Sequence, residues 1–367
     1  MGIYFVTTGY AYFKHIFGYF SAKNRFNCYL TKAITTFNTR SEGIIYISLL
    51  VLSFICLLTV VYTFYTIGYL PQKALFSIEG VLSSEIRNEV GREFEGNSIV
   101  RNVFAITLTP ILSYVWYAYY KGFGGRNNKL LFYTFLILSL FILTYNLAKA
   151  PLILYLIGFV FLRIYIGGTV NFKFLLLAFC SMFILLIFSY YLTFDSFDIL
   201  HLLSPNTGIG GRIFLGQSMG VFFSFDIFPA VKEHLHFSSL SRFISSILGV
   251  EYNERSSRIL MEVLNPSGVK NGTAGVLNSL FIGEAWANFG LLGVIFSPII
   301  IGFYIQSIFN FFITSTKCPL YIGLFAYFSY RLPVVGSFNE FFYNPLQIIV
   351  FSIFFIIIAL STKLNRN

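Results

Sequence analysis

The sequence predicts an all-α, polytopic membrane protein, and three observations predict it. Hydrophobic residues make up 56% of the 367 positions and charged residues only 11%, whereas a soluble domain carries about 25% charged residues. The apolar residues gather into uncharged runs of the length a helix needs to cross a bilayer, about 20 residues. The 25 Lys and Arg are shared unevenly among the connections between those runs. With 46 Phe and 25 Tyr as well, an ordinary cytosolic enzyme, a disordered chain and a disulfide scaffold are excluded.

Six runs are free of charge: 44–68, 103–120, 130–148, 174–194, 285–316 and 341–362. Two further segments each carry one Arg near an end, 150–168 with Arg163 and 318–336 with Arg331. A guanidinium near a helix end reaches the interface at modest cost, so both are read as spans. Residues 1–20 are aromatic-rich but interrupted by Lys14 and His15. They form another span with the N-terminus outside, an interfacial helix, or the remainder of a longer N-terminal region. The total is thus about 8–10 spans. Barrel strands would alternate apolar with polar residues, which these runs do not, and backbone in lipid must bond to itself, so the runs are helices.

Lys and Arg set the orientation. With the stretch containing Lys23, Arg25, Lys32 and Arg40 on the cytoplasmic side, alternation also places Lys14, Lys121, Arg126, Lys129, Arg163, Lys173, Lys317, Lys363 and Arg366 inside. Glu42 is the only acid among them. The C-terminus is then cytoplasmic, and the net charge of +10 reports membrane orientation rather than nucleic-acid binding. Cys28, Cys56, Cys180 and Cys318 fall in inner loops or spans, where no structural disulfide is expected. No repeat and no linker divides the chain, so residues 1–367 are read as one membrane domain.

Two outer segments exceed what a connector needs: 69–101 and 195–278. Loops beyond about 12–15 residues are usually functional or disordered, and these are too rich in aromatics for disorder. In the first, Glu85, Asn88 and Arg92 share a helical face, and Glu89 lies three residues from Arg92. This is either a solvated helix laced with ion pairs or a face from which Arg87 or Arg92 holds an anion. In the second, Gly210-Gly211-Arg212 precedes Gly216-Gln217 and then Asp226-Ile-Phe228-Pro229. Glycines let the backbone approach a ligand closely, and Arg is the planar, permanently charged partner for phosphate. The bland alternative is a snorkelling Arg at the head of an interfacial helix. Arg242, Arg255 and Arg258 are expected to face solvent.

Glu284 stands in Gly283-Glu284-Ala-Trp286-Ala-Asn288-Phe-Gly290, at the outer end of a long apolar helix, with Asn288 four residues on and on the same face. It is either a structural partner of Arg212 or Arg331, or a substrate-binding or general-base carboxylate. Lys149 is a lone cation in a tight outer turn, Asn146-Leu-Ala-Lys149-Ala-Pro151. His201, His234 and His236 are further bases in the outer segment. No Asp-x-Asp pair, no His/Cys/carboxylate cluster and no nucleotide fingerprint is present, so neither a metal nor a cofactor is expected.

Three stretches together resemble the Wzy-type repeat-unit polymerases of O-antigen and capsule synthesis. They are Lys149-Ala-Pro151 between two spans, Gly211-Arg212-Ile-Phe-Leu-Gly216-Gln217 followed by Phe228-Pro229, and Asn278 through Gly293 with its Gly283-Glu284 pair. The resemblance implies a GT-C-like membrane glycosyltransferase of lipopolysaccharide or capsule biosynthesis in the bacterial inner membrane. Its substrate would be a polyprenyl-diphosphate-linked oligosaccharide, with membrane lipid around it and a chain-length regulator as a partner. The growing glycan would leave its carrier diphosphate for the sugar of an incoming repeat unit. Cations at the departing diphosphate would stabilise the transition state. Arg212 is the first choice for that role, with Arg87, Arg92 and Lys149 assisting. Glu284 is the base for the acceptor hydroxyl, ahead of His201 or His234, and Gln217 and Asn288 are expected to bind substrate. The alternatives are an O-antigen ligase and a flippase for the same lipid-linked sugar. A flippase would show internal symmetry and ionisable groups at mid-membrane. Here those groups lie at the outer rim and in the long segments.

Overall fold

The computed structural model describes residues 22–37, 39–76, 86, 89–91, 94–168, 171–191, 218–271, 274–331, 341 and 344–364. Its elements follow the apolar runs. They are α1 (Ala22–Thr31), α2 (Thr39–Ile67), a 3-10 turn (Pro71–Phe76), α3 (Ser98–Phe123), α4 (Arg126–Leu143), α5 (Lys149–Ile166) and α6 (Phe172–Tyr191). After these come α7 (Met219–Ile227), α8 (Arg242–Leu248), α9 (Ser256–Leu264), α10 (Pro266–Lys270), α11 (Leu280–Thr314), α12 (Pro319–Tyr330) and α13 (Pro345–Leu364). There is no strand among the described residues. Among the described residues five helices are long and apolar enough to cross a membrane: Arg40–Ile67, Ser98–Phe123, Arg126–Leu143, Leu280–Thr314 and Pro345–Thr362. The apolar part of α5, Ala150–Ile166, is shorter. A multi-pass helical membrane protein is the result.

The chain divides into two compact units. A bundle unit comprises Ser21–Ser196, Phe309–Arg331 and Pro345–Asn367; a second unit comprises Met1–Phe20, Phe197–Ile308 and Leu332–Asn344.

In the bundle unit α3 packs against α4 and α12, α12 also packs against α5, and α2 packs against α3 and α13. Small residues permit the closest crossings. A Cβ on Gly158 would collide with the Tyr114 hydroxyl, and one on Gly323 would lie 2.6 Å from Val115 Cγ2. Buried polar groups are satisfied between helices, the glue expected where lipid supplies no hydrophobic drive. Tyr114 donates to the Tyr155 carbonyl (2.6 Å), the Ser113 and Tyr155 hydroxyls pair (2.8 Å), Trp116 Nε1 donates to Ser53 (3.0 Å), and the Tyr165 and Ser329 hydroxyls pair (2.7 Å).

The start of α3 carries a buried cation. Residues Arg101–Leu108 form a π-helical stretch, and Arg101 is only 4% exposed. Its guanidinium donates to the carbonyls of Val90 (2.8 Å) and Gly91 (3.2 Å) and lies 4.3 Å over the Phe94 ring. Arg101 is therefore a buried clamp on the segment before it.

One end of the bundle unit collects the basic residues. Hydrogen bonds join the start of α2 to the end of α3 (Tyr119 to Glu42, 2.6 Å), to the start of α4 (Tyr46 to Asn128, 2.9 Å) and to the end of α13 (Ser41 to the Ser361 carbonyl, 3.3 Å). The C-terminus of α1 reaches the same end. Lys317 Nζ donates to the carbonyls of Tyr29, Leu30 and Lys32 at 2.8–3.0 Å, closing that helix with a cation where its dipole favours one. Burial lowers the Lys317 pKa to about 8. Lys23, Arg25, Lys32, Arg40, Lys121, Arg126, Lys129, Arg163 and Lys173 are all exposed and lie on or just after α1, in the last turns of α3 and α5, or in the first turns of α2, α4 and α6. The charge asymmetry read along the chain is thus a separation along the bundle.

Candidate functional site

The second unit is built around a helix that breaks. The apolar run 285–316 reads as one straight span, but Gly290 adopts φ 56° and ψ −138° inside α11. That conformation is open essentially to glycine alone. The chain reverses so sharply that a Cβ on Gly293 would collide with the Ala285 carbonyl, eight residues earlier. In a straight helix those levels stand about 12 Å apart. The expected single helix is therefore a short buried segment, 280–289, followed by residues 291–314. The latter number 24 (314 − 291 + 1) and extend about 36 Å, long enough to cross a bilayer.

Breaking the helix leaves carbonyls without their usual amide donors. The segment after α7 supplies donors. Leu235 N donates to the Ala287 carbonyl and His236 N to the Asn288 carbonyl, each at 2.9 Å. His236 takes φ 50° to do so. The His234 ring lies beside Gly290, where a Cβ would sit 3.1 Å from Nε2, and meets Trp286 edge to face at 5.8 Å.

Glu284 and Asn288 sit on the buried face of the short segment, 1% and 0% exposed. Asn288 is held on both sides of its amide: Nδ2 donates to the Glu284 carbonyl (2.8 Å), and Oδ1 accepts from Ser239 (2.7 Å). Trp286 Nε1 donates to the Phe228 carbonyl at 2.9 Å, beside the cis bond to Pro229. Glycines bring α7 onto this segment. A Cβ on Gly220 would collide with the Asn278 carbonyl, and one on Gly283 would lie 2.9 Å from Ser224 Oγ. Two of the sequence patterns, Phe228-Pro229 and Asn278 through Gly293, thus meet at one place.

The same elements wall an apolar groove. Phe237, Leu240, Ile244, Phe289, Leu292 and Phe296 are among the residues around a cavity of about 490 Å³. Ser297 Oγ, buried in the same lining, has no hydrogen-bond partner among the described residues. The polar face carrying Asn288 and Ser239 and the groove share the segments around 237–240 and 288–293. An amphiphile with a polar head and an aliphatic chain matches this pairing.

Of the other expected site residues, Arg87, Arg92, Arg212 and Gln217, together with His201, lie outside the described residues. Lys149 is the first residue of α5, after Leu147 at φ 56° and an Ala148 amide donating to Asn146 Oδ1 (3.2 Å). A cation there opposes the helix dipole, so helix stability does not explain its position. Glu89 accepts from the Tyr69 hydroxyl (2.9 Å). Burial, and then that carboxylate, push the Tyr69 pKa up to about 12. Arg242 and Arg255 are exposed, as expected for solvent-facing groups, and Arg258 pairs with Glu262 at 3.6 Å. Ser239, and the role of the Leu235 and His236 amides as backbone donors, are the parts that sequence reasoning missed. The available signal was Gly290, because a glycine between two apolar stretches marks a place where donors must be found elsewhere. Among the described residues no group of three His, Cys, Asp or Glu is placed to hold a metal.

No family model, no curated protein and no solved structure matches this chain.

Proposed function

We propose that this chain is a GT-C-like membrane glycosyltransferase. It polymerises polyprenyl-diphosphate-linked oligosaccharide repeat units into a surface polysaccharide, O-antigen or capsule, on the periplasmic side of the bacterial inner membrane. The motif resemblance motivates the reading. The observation that supports it is the polar face of Glu284, Asn288 and Ser239 lying beside an apolar groove. A lipid-linked sugar needs both environments at one site.

In this mechanism Glu284 accepts the proton of the acceptor sugar's hydroxyl. That oxygen bonds to the anomeric carbon of the donor glycan, and the bond from that carbon to the carrier diphosphate breaks. Arg212 balances the charge that develops on the leaving diphosphate. Diphosphate departs readily, so fixed cations suffice. Asn288, fixed at both ends of its amide, and Gln217 orient the acceptor. A separate regulator sets chain length.

A deletion strain tests the reading. Loss of the polymer ladder with a single repeat unit still attached to the lipid core is the expected outcome. Loss of all attached glycan would replace the proposal with a ligase or a flippase. Arg212→Ala and Glu284→Gln, each at normal protein level, should fail to restore the ladder. A ladder of unchanged length in either variant removes that residue from the mechanism.

A further inference from the structure

At the basic end of the bundle unit, α3 and α5 present two cations that are fixed without a carboxylate. The Lys121 ammonium lies 5.1 Å from the ring centre of Tyr120 and 5.7 Å from that of Tyr117. The Arg163 guanidinium lies 4.3 Å over the Phe174 ring. Cation–π contact restrains each head group while leaving its hydrogen-bond donors available. Both side chains are exposed, and neither enters an ion pair among the described residues. The one acid at this end, Glu42, already accepts from the Phe37 amide (3.1 Å) and the Tyr119 hydroxyl (2.6 Å).

The two cations converge. The Tyr117 ring, against which Lys121 lies, meets Phe159 edge to face at 5.8 Å, and Phe159 stands one turn before Arg163 on α5. Gly124 and Gly125, at φ 69° and 88°, close the α3–α4 turn and bring Arg126 and Lys129 to the same end. Just beyond this charge, α4 exposes Leu130, Tyr133, Ile137 and Phe141. Charge at the helix ends, tyrosines at the boundary and an apolar flank beyond form the sequence of environments that a phospholipid spans from head group to acyl chain.

We propose that Lys121, Arg163 and the Tyr117 hydroxyl bind the phosphodiester of an anionic phospholipid in the leaflet on the basic side of the membrane, its acyl chains lying along α4. Two charge-assisted hydrogen bonds to one phosphate give the site its strength. The apolar flank selects a lipid over a soluble anion. The site belongs to the bundle unit and does not depend on the transferase reading.

The test is native mass spectrometry of the full chain released from micelles holding phosphatidylglycerol and phosphatidylcholine in equal amounts. The wild-type chain should retain phosphatidylglycerol preferentially. Lys121→Ala with Arg163→Ala should reduce that preference about thirtyfold, on the scale of one cation–lipid interaction lost at each position. Lys23→Ala with Lys32→Ala, which alters exposed bases elsewhere at this end, should leave the preference unchanged. Thermal unfolding of each variant reports whether it remains folded. An unaltered preference in the Lys121/Arg163 variant overturns the proposal. So does an equal loss in the Lys23/Lys32 variant, which would mean diffuse charge, or displacement by millimolar inorganic phosphate, which would mean a soluble-anion site.

Discussion

In the bundle unit, buried polar side chains reach across from one helix to another. Tyr114, Ser113, Trp116 and Tyr165 each find a partner on a neighbouring element. In the second unit the polarity arises in the backbone, where α11 breaks at Gly290, and an irregular segment supplies the missing donors. A side-chain bond across a bundle can be lost singly, because each helix keeps its own ladder. A broken helix shares its carbonyls, glycines and capping segment, so damage to one part reaches the others. The second unit therefore concentrates its stability in a few residues, and the bundle spreads it over many.

The largest expected effect follows from that contrast. Gly290→Ala forces a side chain into a backbone region it does not occupy, 3.1 Å from the His234 ring, at a cost of up to about 3 kcal/mol. Thermal unfolding in detergent should show a clear drop in Tm. Gly43→Ala, where a Cβ meets nothing within 4 Å on α2, should be neutral or stabilise by up to about 1 kcal/mol. Equal behaviour of the two variants would mean that the break carries no special load.

A smaller effect is expected at the cap of the polar face. Ser239→Ala leaves the buried Asn288 Oδ1 without its 2.7 Å donor and should destabilise by about 2 kcal/mol. Hydrogen exchange near 234–240 should accelerate together with 284–290 if these segments form one cooperative unit. Acceleration confined to one of them would show that the comparison overstates their coupling.

The smallest belongs to the bundle. Tyr114→Phe removes the 2.6 Å bond to the Tyr155 carbonyl but keeps the ring packing, and interhelical bonds in membranes average about 0.6 kcal/mol. Its Tm should stay close to that of the unaltered protein. A loss as large as that of Ser239→Ala would erase the distinction between the two regions.

Much of this architecture was legible along the chain, and the reasons are specific. Helices α2, α3, α4 and α13 fall on uncharged runs because a backbone in hydrocarbon must satisfy itself locally. The basic end was legible because Lys and Arg on short connections are sorted by side. The pairing of Glu284 with Asn288 was visible in their spacing of four, and both lie on the buried face of the short segment. The break at Gly290 was not visible, since hydropathy is nearly the same on either side of it and says nothing about φ. Nor was the burial of Arg101, whose partners are the carbonyls of Val90 and Gly91. A guanidinium near a helix end looks alike in sequence whether it meets water or folded backbone.

Local composition thus determined the helical class, the membrane setting and the sidedness of the charge, because each depends on the transfer of short segments between water and lipid. Which carbonyls α11 releases, which amides meet them, and how Ser239 comes to hold Asn288 were decided only when distant parts of the chain packed together. Those contacts join residues some fifty positions apart, and their geometry is set by backbone angles that no count of apolar side chains contains.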